Sequence, residues 1–246
     1  MEQIQTSMKR LFEGDPQIVR AAYEALLETV TEVTQSGKEA KRSEVAALLA
    51  AELDVEIEYG RTMGGKGKPA ILDPLNKIIR LLSYVSTAKE VPALAKSMRD
   101  LNLREMARFA LERNTSDEAT AVLIGALDSV GPVFRVGVVN SLAKRRGSRV
   151  VAGLRKATGD NDPEVRQAAV EALANFPDPA NDAIIAKMAR CDCRKTRARA
   201  IKARVRLAET LNNAGQKGAA RQIYRAIQGS NADAPQKKAA GIGLKA

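Results

Sequence analysis

A chain of 246 residues with 45% apolar but only 3% aromatic content draws its apolar mass from Ala, Leu, Val and Ile, which suits closely packed helices and argues against a β-sandwich or barrel. Histidine is absent, which excludes Ser-His-Asp and Cys-His catalysis and His-ligated metals, and two cysteines are too few for a closed zinc site. The net charge of +11 is uneven: residues 1–100 hold 14 basic and 15 acidic groups (net −1) and residues 101–246 hold 26 and 14 (net +12), so an acidic partner would meet the C-terminal half.

Met1 to Arg10 mixes acid, amide and base without the apolar run of a signal peptide, and no 18-residue apolar stretch follows. The expectation is a soluble, cytoplasmic protein that does not engage a membrane. Residues 1–54 are predicted as an N-terminal helical segment containing DPQIVRAAYEAL, from Asp15 to Leu26, and a helix over Lys38 to Leu53. Next comes VEIEYGRTMGGKGKPAILDP, residues 55–74, whose four glycines and two prolines predict a basic loop or an insertion that breaks the repeat. Within it GRTMGGK, from Gly60 to Lys66, satisfies GxxxxGK. Gly67 stands where a phosphate-binding loop needs Ser or Thr for magnesium, and Pro69 stands where its helix should start. That leaves a linker or a basic loop that touches a partner.

From residue 75 the apolar run Leu75 to Val85 opens a stretch predicted as helical repeats through 213. Arg104, Arg135, Arg166 and Arg197 are spaced by 31 residues. Leu111, Leu142 and Leu173 keep the same step, each after a small residue (Ala110, Ser141, Ala172), as do Leu123, Leu154 and Ile185. A unit of that length holds two short helices and two turns, the arithmetic of an α-solenoid. In residues 160–190 Asp162 can cap a helix with Pro163 at its first position, and Val165, Ala168, Ala169, Ala172 and Leu173 recur at helical spacing. Pro177 and Pro179 then break the chain before a second helix expected to carry Ile184, Ile185 and Met188 inward. Residues 214–246 are predicted as a further hairpin, with a turn at Gly215 and a helix through Ile227, then the start of another helix.

These residues carry a resemblance. DPEVRQAAVEAL, Asp162 to Leu173, resembles the DPxVRxxAxxAL core of HEAT repeats, specifically the short bacterial phycobilisome-lyase-like type; the copies at 102–128 and 133–158 are degenerate but in register. DPQIVRAAYEAL near the N-terminus aligns with it at seven of twelve positions. The region after Arg197 looks more like a TPR hairpin. What the resemblance implies is an all-α, right-handed α-α superhelix of antiparallel helix pairs. In HEAT families the arginine after the turn pairs with acids or carbonyls of the adjoining unit, which implies that role for Arg104, Arg135 and Arg166. HEAT-type hydroxylases need His-Glu pairs that this chain lacks, and HEAT-like DNA glycosylases need aromatic and acidic lesion contacts it does not show.

The candidate binding surface is basic. Arg190, Arg194, Lys195, Arg197, Arg199, Lys202, Arg204 and Arg206 crowd one segment against a single acid, Asp192, and positions 195, 199, 202 and 206 share a helical face. Lys144, Arg145, Arg146 and Arg149 form a second cluster in an inter-helix turn. Each is either a partner site or a solvated face. Cys191 and Cys193, in a CDC triplet too close for an ordinary disulfide, are either plain residues at a helix start or a surface thiol with a redox role. No catalytic residue, cofactor, metal or small-molecule substrate is expected. The expectation is a non-enzymatic scaffold or adaptor for a protein with an acidic surface; the alternative is a sequence-nonspecific nucleic-acid module contacting phosphates, although the clusters contain no aromatic residue for base stacking.

Overall fold

The computed structural model describes residues 2–62 and 68–245, with the backbone alone for 60–62 and 68–72. The described residues form fourteen α-helices and no strand, in two compact units that meet in sequence between Leu123 and Ile124. The fold is an all-α solenoid.

The first unit contains α1 (Glu2–Arg10), α2 (Pro16–Val33), α3 (Glu39–Thr62), α4 (Lys68–Val85), a 3-10 turn (Ala88–Glu90), α5 (Val91–Ser97), α6 (Arg104–Arg113) and the start of α7 (Asp117–Ser129). Asp15 caps α2, its Oδ1 accepting from the Gln17 N–H at 2.8 Å, with Pro16 at the first position where no intrahelical partner is lost. The expected loop over 55–74 is helical wherever it is described: α3 runs on through 55–62 and α4 begins at Lys68. Gly and Pro were misleading here because tertiary burial outweighs their low propensity. Ile57 continues the buried row of Val45, Leu49 and Leu53, and Pro74 lies inside α4 just before the buried Leu75, Ile78, Ile79 and Leu82. Most of the GxxxxGK segment, residues 63–67, lies outside the described residues.

The second unit contains the rest of α7, then α8 (Pro132–Leu142), α9 (Ser148–Ala157), α10 (Pro163–Leu173), α11 (Ala180–Met188), α12 (Arg194–Asn213), α13 (Lys217–Gln228) and α14 (Ala234–Gly243). The first helices of successive 31-residue units pack side by side: α10 contacts α8 on one side and α12 on the other, and α11 closes against α12. The periodic positions explain the stacking. Leu111, Leu142, Leu173, Leu123, Leu154 and Ile185 are all fully buried, each in a stripe that has no stable home on an isolated helix. Asp162 caps α10 through the Glu164 and Val165 N–H groups at 2.9 and 3.1 Å. The turn after α12 uses Gly215 at φ +79°, a backbone setting that costs a side-chain-bearing residue roughly 1–2 kcal/mol.

Candidate basic surface and groove

The periodic arginines have local work. Arg135 Nη2 donates to the Val130 carbonyl at 2.8 Å, Arg166 Nη1 to those of Asp160 and Asn161 at 2.7 and 2.9 Å, and Arg197 Nη1 to those of Cys191 and Asp192 at 3.0 and 3.2 Å. Each reaches back five or six residues to the turn that precedes its own helix, satisfying carbonyls that the turn leaves open. Arg135 also pairs with Asp160, in the turn between α9 and α10. Arg135, Arg166 and Arg197 hold turns together, and the ion pair of Arg135 reaches the first residue of the next repeat, Asp160, in the expected manner.

The cluster between α8 and α9 divides. The chain folds back on the end of α8, the Arg145 N–H donating to the Leu142 carbonyl at 3.0 Å, and the Arg145 side chain is buried, so it does not belong to a binding surface. Arg146 is exposed but lies 5.9 Å from the Phe176 ring centroid, with its Nη1 on the Arg145 carbonyl at 2.9 Å. Lys144 and Arg149 are exposed.

The face expected along α12 is interrupted. Arg199 is half-buried, with Nε and Nη2 on the two Glu171 carboxylate oxygens at 2.7 and 3.3 Å and Nη1 3.5 Å from Glu164. Glu171 and Glu164 are the reason its guanidinium is held above its ordinary basicity. Arg204 is buried and paired with Asp182 on α11. What remains is Lys195, Lys202 and Arg206, all exposed and without a carboxylate partner among the described residues, extended toward the helix start by Arg190 and by Arg194, which is 3.9 Å from Asp233.

Beside that face α10, α11 and the start of α12 border a groove of about 850 Å³. Ile184 and Met188, expected in the core, are half-buried and line it together with Pro163 and Val170; only Ile185 of that trio faces fully inward. Arg166, Lys187, Lys195 and Arg199 add positive charge against the one acid, Glu164. Gln167 also lines the groove and is 2% exposed. Its Nε2 donates to Glu171 Oε1 at 3.1 Å, which fixes the amide because an ionised carboxylate only accepts, and its Oε1 then has no donor. Cys193, at the N-cap of α12, is exposed in the same groove. The nearby Thr196 hydroxyl, the Thr196 and Lys195 backbone amides and the Lys195 charge hold the thiol below its ordinary pKa. Cys191 Sγ lies 3.4 Å from the Cys193 carbonyl.

Among the described residues, no helix is long and apolar enough to cross a membrane, and no group of three or more Cys, Asp or Glu could hold a metal ion. The HEAT repeats family matches residues 90–174 and, in a second register, 120–204. Residues 90–204 are thus similar to HEAT repeats. The complex of CpcE and CpcF of phycocyanin lyase from Nostoc sp. PCC7120 is similar at 17% identity, covering 98% of this chain and 86% of that one, with a TM-score of 0.43. Human deoxyhypusine hydroxylase in complex with glycerol is similar at 13% identity, covering 99% and 95%, at 0.38. A designed armadillo repeat protein in complex with the peptide (KR)4 is similar at 17%, covering 100% and 99%, at 0.34. No curated protein sequence matches the chain.

The 31-residue register locates Leu111, Leu123, Leu142, Leu154, Leu173 and Ile185 in the core but not the groove. One signal was available. Gln167 stands one step of the repeat after Val136, in a helix whose positions 167 to 170 are all buried, and a polar residue in such a run calls for a partner.

Proposed function

We propose that this HEAT-repeat chain is a non-enzymatic scaffold or adaptor, whose second unit holds an acidic segment of a protein partner on the α12 face. One observation carries the reading: Lys195, Lys202 and Arg206 are exposed and have no carboxylate partner among the described residues, while Arg197, Arg199 and Arg204 beside them are bound to carbonyls and carboxylates of the fold. Like charges four apart on a helix, such as Lys202 and Arg206, repel by roughly 0.2–0.5 kcal/mol, and carboxylates brought by a partner would relieve that repulsion. Arg190, Arg194, Lys144 and Arg149 widen the positive field of this unit; Arg145 and Arg199 are left out because they are buried or paired. Stacked helix pairs present a broad ridged surface, and binding through it requires shape and charge but no chemistry.

The same cations could meet nucleic-acid phosphates, and the salt dependence separates the two readings. The test is an anisotropy titration with a labelled Glu-rich peptide and a random DNA duplex at low and physiological salt, using the wild type and the K195E/K202E/R206E variant. Peptide binding that persists at physiological salt and vanishes in the variant supports the adaptor. Duplex binding alone, falling steeply with salt, replaces it with the nucleic-acid module. Binding of neither, or equal binding by wild type and variant, removes the α12 face as a site.

A further inference from the structure

The first unit carries a surface that the scaffold reading does not use. The chain has only four tyrosines and four phenylalanines, and three of those rings, Tyr23, Tyr84 and Phe109, stand on α2, α4 and α6. These helices are neighbours, α2 packing on α4 and α4 on α6. Arginines alternate with the rings. Arg113 lies 5.0 Å from the Tyr84 ring centroid and 5.8 Å from that of Phe109, while its Nε donates to the Ser83 carbonyl at 3.2 Å. Arg80, one helical turn before Tyr84, borders the remaining ring. Burial raises the Tyr23 phenol above its ordinary value, and the charge of Arg80 acts against that rise from the neighbouring helix. The order along the surface is therefore Tyr23, Arg80, Tyr84, Arg113, Phe109.

The polar groups of this row are open. Arg80 and Arg113 are exposed, and neither guanidinium meets a carboxylate among the described residues. The acids closest in sequence, Glu24, Asp73 and Glu112, are paired with Arg20, Lys77 and Arg108. Neither the Tyr23 nor the Tyr84 hydroxyl has a hydrogen-bond partner among the described residues. Phe109 is 38% exposed, and Tyr23 and Tyr84 are half-buried. The two rings and the Ser83 carbonyl hold Arg113 in place, so its Nη groups lose less freedom on meeting an anion.

The arginines call for an anion and the rings for a planar partner. An acidic peptide would use the guanidinium groups and leave the rings without one, and a duplex offers phosphates but keeps its bases inside. A single strand supplies both. We propose that this face of the first unit binds single-stranded nucleic acid, with bases stacked on Tyr23, Tyr84 and Phe109 and phosphates on Arg80 and Arg113. The free phenol hydroxyls donate to sugar and phosphate oxygens of the strand. Residues 1–100 have a net charge of −1, so stacking, and not a general positive field, brings the strand to this face.

The test is an anisotropy titration of the whole chain carrying K195E/K202E/R206E, so that the α12 face takes no part. The labelled probes are oligouridylate and oligothymidylate of about twelve nucleotides, an abasic deoxyribose-phosphate strand of the same length, a duplex and a Glu-rich peptide. A single strand should bind at least about tenfold more tightly than the abasic strand, the duplex or the peptide, and the tighter of the two single strands identifies the preferred sugar. Tyr84→Leu and Phe109→Leu keep apolar bulk but remove the planar ring, and each should weaken binding about tenfold. Log K should fall against log salt with a slope of about −1.4, since each of two phosphate contacts contributes about −0.7 on a single strand. Arg80→Gln with Arg113→Gln should bring that slope close to zero. Thermal melts check that the variants fold, and the exposed Phe109 keeps the test decisive if Tyr84→Leu does not. Equal binding of the abasic strand, tighter binding of the peptide, binding undiminished in both Phe109→Leu and the double glutamine variant, or no binding of either single strand would overturn the proposal. With the α12 cations reversed throughout, this outcome is independent of the peptide titration on that face.

Discussion

Arg204 donates through Nε and Nη2 to the two carboxylate oxygens of Asp182 at 2.7 and 2.9 Å, joining α12 to α11 at a position where the repeat otherwise has leucine. Leu111, Leu142 and Leu173 precede it in that register, and Arg204 is only 8% exposed. A guanidinium there is tolerable only with a bidentate acceptor. Removing the acceptor alone, in Asp182→Ala, should destabilise by about 2–4 kcal/mol because a buried cation is left behind. Restoring the repeat with Arg204→Leu in the Asp182→Ala background should recover most of that loss. Urea unfolding of the two variants decides it, and equal stability of single and double variants would refute the account.

The α12 cations should separate into two behaviours. Lys202→Glu and Arg206→Glu are expected to stay within about 0.5 kcal/mol of the wild type, as exposed substitutions with no partner do. Arg199→Glu faces Glu171 and Glu164 and should cost about 1 kcal/mol or more, since it exchanges an attraction for a repulsion. Thermal melts at low and high salt check the contrast, with the Arg199→Glu deficit shrinking as salt rises.

Asp160 predicts part of the acid sensitivity. Burial is the largest influence on its carboxyl and raises the pKa, but the Asp162 N–H and the charges of Arg135 and Arg166 together outweigh it and hold the group below its ordinary 3.8. A depressed folded-state pKa stabilises fully above the unfolded value and is lost as pH falls through the folded one. Asp160→Asn should therefore be less stable than the wild type at neutral pH, with the gap closing below about pH 3.8. Chemical denaturation across that range measures it; a gap that does not vary with pH would show that the carboxylate charge contributes nothing.

Cys193 should alkylate with iodoacetamide faster than Cys191 at neutral pH, since Thr196 and the N-terminal amides of α12 favour its thiolate. Thr196→Val removes the hydroxyl that most favours the thiolate and should move the pH-rate curve of Cys193 toward alkaline values. Coincident curves for the wild type and Thr196→Val would mean that the hydroxyl does not influence the thiol.

Gly147 bears on turn geometry. It precedes α9 at φ +112°, a region that side-chain-bearing residues rarely enter. Gly147→Ala should cost roughly 1–3 kcal/mol and could be read by thermal denaturation, although no neighbouring atom lies within 4 Å of the added carbon. An unchanged melt would show that the turn relaxes without strain.

The helical repeat was legible because its signal is one-dimensional. Spacing of 31 residues, a Pro behind an Asp cap and small residues before each leucine all follow from what one helix pair needs to stack on the next, so the buried positions of residues 101–185 could be read by counting. The limits of the same logic appear at 55–62 and 68–74, where glycine and proline mark weak local preference. Burial of Ile57, Leu75 and Ile78 supplies the free energy that local preference lacks.

Charge behaves differently from hydrophobic period. The sequence alone determines that cations concentrate in the C-terminal half and that histidine chemistry is impossible. It could not sort those cations, because whether Arg145 is buried, Arg199 is bound by Glu171 or Lys202 is open depends on residues up to 28 positions away in the chain that meet only after α10, α11 and α12 have packed. The groove has the same origin. An orphaned Gln167 oxygen, a lysine pair and the Cys193 thiol come together through helix stacking, and a property set by distance between elements has no period within any one of them.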